Sequence, residues 1–136
     1  MTIAIRDHEP NRIILVRFDA VANCLEPEAA KYFWRISFVD GMLASGSDAY
    51  TLDDAEADAL ASLTSPMSWQ ALKFWSSRFF QIYNCEFQSV GAPGCDDLKV
   101  CCIDSSQWEV TTSSSTIIER LYLTFKITAS VADLDA

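Results

Sequence analysis

Five cysteines, one histidine and two adjacent aspartate pairs are the residues whose types suit chemistry in this chain. Cys85, Cys95, Cys101 and Cys102 lie within eighteen residues, with nine, five and zero residues between successive members. A four-cysteine zinc site shows paired knuckles of two to four intervening residues, a pattern absent here. Adjacent cysteines on a strand point to opposite faces, so Cys101 and Cys102 would serve different surroundings. With Cys24 the count is odd, and the polar N-terminus carries no apolar secretory stretch. Reduced thiols fit that combination better than a disulfide framework. The expectation is five free thiols, no metal and no cofactor.

His8 is the sole imidazole, in a polar segment near the N-terminus where chains fray. A Ser-His-Asp or Cys-His site would depend on it entirely, and a surface role is expected instead. Asp53-Asp54 and Asp96-Asp97 are the paired carboxylates. The first pair suits a helix N-terminus, where the dipole favours anions. The second sits in a Gly-Pro-Gly loop and suits a turn. Asp53 and Glu56 share one side of a helix, but no histidine or third acid joins them to make a di-metal centre. Four glycines in all leave neither phosphate-binding loop pattern, which excludes nucleotide chemistry of those kinds.

Charge is more informative. The chain carries a net −9, and residues 40–66 hold six acids (Asp40, Asp48, Asp53, Asp54, Glu56, Asp58) without one base. Such a surface repels nucleic acid and anionic membrane and draws basic partners. The ten Lys and Arg are scattered, so no basic groove is expected. No segment reaches the roughly 18 uncharged apolar residues of a membrane span, and a cytoplasmic protein is expected.

The elements that must position these residues follow from periodicity. Residues 12–20 and 31–39 alternate as strands, with Asp40-Gly41 as a two-residue hairpin turn and a return strand from Met42 to about Tyr50. Thr51 caps a helix over 52–64, with Leu52, Ala55, Ala59, Leu60 and Leu63 as its apolar stripe. Ser65-Pro66 opens a second helix, in which Leu72, Trp75, Phe79, Ile82 and Tyr83 recur at helical spacing. Residues 78–88 also read as a strand. Residues 89–97 form a loop, and Leu98–Ile103 and Trp108–Thr112 short strands. Over 116–128 alternation predicts a further strand that buries Leu121, Leu123 and Phe125. An acidic tail frays from about 130. The whole chain, 1–136, reads as one α+β domain: a mostly antiparallel sheet of about five to six strands, with two central helices packed on one face.

No catalytic constellation emerges. The profile suits a non-catalytic protein that works by binding, and in broad composition it is similar to cytosolic inhibitors and bacterial immunity proteins that occlude a basic toxin. Asp48, Asp53, Asp54, Glu56 and Asp58 would steer the partner, and Trp69, Phe74 and Phe80 would anchor it. An anti-defence or DNA-mimic inhibitor is the alternative binder. A small enzyme or ligand-binding module, with a pocket between sheet and helices, is the alternative from another class. Oligomeric state stays open.

Overall fold

The computed structural model describes residues 1–6, 8, 9, 12, 13, 16–44, 49–91, 98–105, 107–125 and 128–131. In chain order the elements are β1 (Thr2–Ile5), β2 (His8–Glu9), β3 (Arg12–Ile13), α1 (Phe18–Leu25), a 3-10 turn (Glu28–Lys31), β4 (Phe33–Leu43), α2 (Leu52–Ser62), β5 (Met67–Ser68), α3 (Trp69–Ser77), β6 (Phe79–Val90), β7 (Lys99–Ile103), β8 (Gln107–Thr111), α4 (Ser115–Thr124) and β9 (Thr128–Ser130). Seven strands form one sheet in the order β5-β4-β6-β7-β8-β1-β9, every pairing antiparallel, and β2 and β3 pair separately.

Register shows how alternation builds the core. Ile36, Phe87, Val100, Val110 and Ile3 stand opposite one another across five strands, and all are fully buried. The adjoining row, Arg35, Gln88, Lys99, Thr111 and Thr2, points to the other face and is half-buried. That is the pattern of a sheet with one face packed and one face solvated. Aromatic rings join helices to the packed face. Phe18 of α1 meets Phe87 edge-on at 5.1 Å, and Trp69 of α3 lies 5.0 Å from Trp34. Each such pair adds about 0.5–1.5 kcal/mol beyond its burial.

The α+β class and the antiparallel sheet agree with the sequence reading, but the element count does not. Among the described residues, seven strands in the main sheet replace five to six, and four α-helices replace two. Of the strand expected over 12–20, Arg12–Ile13 is β3 and residues 14 and 15 lie outside the described residues, but from Phe18 onward the chain is α1, because Phe18, Val21, Ala22 and Leu25 recur at helical spacing and bury together. Asp40-Gly41 makes no hairpin. β4 runs through it with register shifts, and Gly41 lies where a Cβ would meet the Gln81 carbonyl oxygen at 2.5 Å. The glycine therefore serves close approach of two strands rather than a turn.

The second helix begins at Trp69 rather than Pro66, with Ser68 as its cap accepting from the Ala71 N–H at 3.1 Å. It ends at Ser77, so the strand reading of 78–88 holds and Phe79, Ile82 and Tyr83 belong to β6. The strand expected over 116–128 is the helix α4 over most of its length. Ser114 caps it, and Ile117, Leu121 and Phe125 recur every fourth residue and are buried. Leu123, expected inside, is 79% exposed. No helix among the described residues is long and apolar enough to cross a membrane.

Candidate functional site

Helix α2 concentrates the acids. Thr51 Oγ1 accepts from the Asp54 N–H at 3.2 Å, and the Asp54 carboxylate accepts from the Thr51 N–H at 2.9 Å. This reciprocal box satisfies donors that the helix start leaves open. Asp54 is therefore committed to the cap. Asp58 accepts from the Tyr50 hydroxyl. Burial, and then the Asp58 hydrogen bond and charge, push the Tyr50 hydroxyl up to about 12. Asp53 and Glu56 are exposed and join no ion pair among the described residues.

Ala55, Ala59 and Ser62 are the buried side of α2. At 100° per residue, Asp53, Glu56, Leu60 and Leu63 fall on a different stripe, spaced i, i+3, i+7 and i+10. Leu60, expected in the core, is 70% exposed on it, and Leu63 is exposed as well. Two acids and two leucines thus share one open helix surface. Helix α2 packs on β4 through its small side, and the larger leucines lie off that side.

The other flank of α2 borders a groove of about 380 Å³ shared with α3 and lined by Asp58, Ala61, Ala71, Phe74, Trp75 and Arg78 among others. The Arg78 guanidinium lies 4.0 Å from the Tyr50 ring centre and 4.9 Å from that of Phe74, the geometry of a cation held between two aromatic faces. The buried Trp75 indole N–H comes near the Tyr50 hydroxyl without a hydrogen bond of ordinary geometry.

A second cavity, also about 380 Å³, opens between α1, the C-terminal half of α3 and the start of β6. Phe18, Phe79, Ile82 and Trp108 give it apolar walls, and Arg17, Lys73 and Asp19 bring charge to it.

The expected site residues thus separate. Asp53 and Glu56 stand together on the open stripe. Asp58 and Phe74 meet at the α2–α3 groove, while Phe80 lines the other cavity. Trp69 is 1% exposed and donates its indole N–H to Glu26, so it is a core residue and presents nothing to a partner. Asp48 lies outside the described residues. Sequence reasoning missed Arg17, Tyr50 and Arg78. Only Arg78 carried a local signal, its spacing four residues after Phe74 on a helix.

Cys24, Cys85 and Cys102 are buried free thiols, and Cys101 is a half-buried one. Cys95 and the Asp96-Asp97 pair lie outside the described residues, as does the His8 side chain. Among the described residues no three His, Cys, Asp or Glu side chains are placed to hold a metal ion.

Fold and surface together define an α+β domain with an acidic, partly apolar helix at one edge of its sheet. No protein-family model, curated protein or solved structure matches the chain.

Proposed function

We propose that this chain is a non-catalytic, acidic protein-binding domain of the inhibitor or immunity type, and that α2 meets a partner with a basic surface. The observation that carries this reading is the stripe of Asp53, Glu56, Leu60 and Leu63. Acids with no ion pair among the described residues steer a cationic surface during encounter. Large apolar side chains left in water beside them supply anchorage once contact is made. The net charge of −9 strengthens the steering.

The test compares the parent protein with two variants, Asp53→Asn/Glu56→Gln and Leu60→Ser/Leu63→Ser. Asp54 and Asp58 are left intact because they serve the helix cap and Tyr50. Each protein is immobilised and offered extracts of cells that carry the gene. A partner recovered by the parent is then followed by stopped-flow at two salt concentrations. The acid variant should associate more slowly with a flatter salt dependence, and the leucine variant should dissociate faster. A partner bound equally well by all three proteins removes α2 from the interface and overturns the reading.

A further inference from the structure

We propose that the cavity between α1, α3 and the start of β6 binds a small amphipathic carboxylate, independently of any protein docked on α2. At about 380 Å³ the cavity falls within the range of small-molecule sites, and such sites combine apolar walls with a few placed polar groups. Its walls are of that kind. Phe18 is fixed from behind by Phe87 and Trp69, at 5.1 and 5.9 Å. Trp108 lies 5.6 Å from Phe18, and its indole N–H is already spent on the Val16 carbonyl at 2.7 Å. These rings therefore offer faces and edges to a ligand rather than hydrogen bonds, and they are held in place before it arrives. Phe80, exposed at the same cavity, gives it a further aromatic wall.

The charge of the ligand follows from which polar groups retain capacity. The Ser76 and Ser77 hydroxyls donate to the Lys73 and Phe74 carbonyls. Lys73 is paired with Glu26. Asp19 Oδ1 accepts from the Ala20 N–H at 2.9 Å. Arg17 is different. Its Nη1 donates to the Phe80 carbonyl at 3.1 Å and its Nη2 reaches the Phe79 carbonyl at 3.5 Å, and no described carboxylate pairs with it. A guanidinium has five N–H donors in a planar fork. Two directed at backbone carbonyls orient that fork and leave donors over for an anion. A carboxylate on an apolar body of one or two rings meets both requirements, with the body among Phe18, Phe79, Ile82 and Trp108 and the head at Arg17.

The test uses 2-naphthoate as probe and 2-naphthylmethanol as its neutral counterpart, read by the four tryptophan indole N–H signals in a nitrogen–proton correlation spectrum. The Trp108 signal is assigned by Trp108→Phe. Naphthoate should move the Trp108 signal saturably and leave that of Trp34, hydrogen-bonded to Ala29 in the core, in place. Arg17→Gln should weaken naphthoate about tenfold, the loss of one charge-assisted contact, and leave naphthylmethanol binding unchanged. Ser77→Trp, at an exposed position on the cavity wall, should abolish binding of both. The Arg17 variant keeps the question decidable if the Ser77 variant does not fold. No saturable shift up to the solubility limit, movement of all four signals together, or equal response of both probes to Arg17→Gln would each overturn the proposal.

Discussion

The indole N–H of Trp69 donates to Glu26 Oε1 at 2.7 Å, tying a buried ring on α3 to the carboxylate that follows α1. The same oxygen receives the Lys73 ammonium, and Arg120 of α4 donates to the Glu26 carbonyl and pairs with Glu28. Three helices therefore meet at one acidic residue. The hydrogen bond from Lys73, then that from Trp69, hold the Glu26 carboxyl below the usual carboxylate range, against a smaller opposing effect of burial. A carboxyl whose folded pKa is depressed stabilises the fold above its unfolded value of about 4.3, and loses that contribution as pH falls through the folded value. Glu26→Ala should cost about 1–2 kcal/mol at pH 7, a range kept low because the group is partly solvated. The gap between parent and variant should narrow below about pH 4. Urea titrations at pH 7 and pH 3 check this, and a gap independent of pH would uncouple the carboxylate from stability.

Leu121 and Leu123 separate helix from strand at the C-terminal end of the described chain. A strand would bury both; α4 buries Leu121 fully and leaves Leu123 in water. Leu121→Ala should cost about 2–5 kcal/mol, and Leu123→Ala less than about 0.5 kcal/mol. Denaturant midpoints of the two variants decide it, and equal losses would restore the strand.

Gly41→Ala tests the close approach of β4 to β6. The added methyl would meet backbone at Gln81 and Ile82 as well as the buried Phe79 ring. A loss of about 1–3 kcal/mol is expected, the cost of overpacking, measured by thermal or urea unfolding. A neutral result would mean that the two strands leave room for a methyl group at this position.

The thiols should differ in reactivity. Burial, and then the Glu86 charge, push the Cys101 thiol up to about 11. Burial raises the Cys85 thiol well above its ordinary value as well. At pH 8 a thiol of pKa 11 is about one part in a thousand thiolate. In a Cys95→Ser background, a disulfide reagent should label Cys101 slowly in the native protein. Cys85 and Cys102 should react only on unfolding. Mass spectrometry of timed samples shows the order, and fast labelling of Cys85 would contradict its burial.

What was legible in the sequence was whatever one local rule decides alone. Thr51 followed by aspartates marked the start of α2, and the alternation of Trp34 and Ile36 marked β4. Two rules collided at the misread places. In α4, Leu121, Leu123 and Phe125 alternate like a strand, while Ile117, Leu121 and Phe125 recur like a helix; the Ser114 cap and packing on α1 select the second. At Asp40-Gly41 a turn composition hid a packing requirement that only the neighbouring strand reveals. The candidate sites were less legible still. Arg17 and Phe80 are 63 residues apart in the chain, and no local pattern brings them together. The acidity of α2 was plain, but which acids its cap and Tyr50 consume became visible only with the fold.

Ser62, on the buried side of α2, accepts the Ile36 N–H at 2.8 Å through its hydroxyl. β5 occupies the same flank of β4 at Phe33 and Trp34. An open sheet edge is a template on which a foreign strand can continue the ladder, the route to recognition by strand addition and to fibrous assembly. Here a two-residue strand and one serine hydroxyl take the positions where that ladder would begin. A partner strand extending the ladder between Phe33 and Ile36 would have to displace both. Templated association starting at that stretch of β4 would likewise meet occupied positions, one of them held by a single oxygen atom.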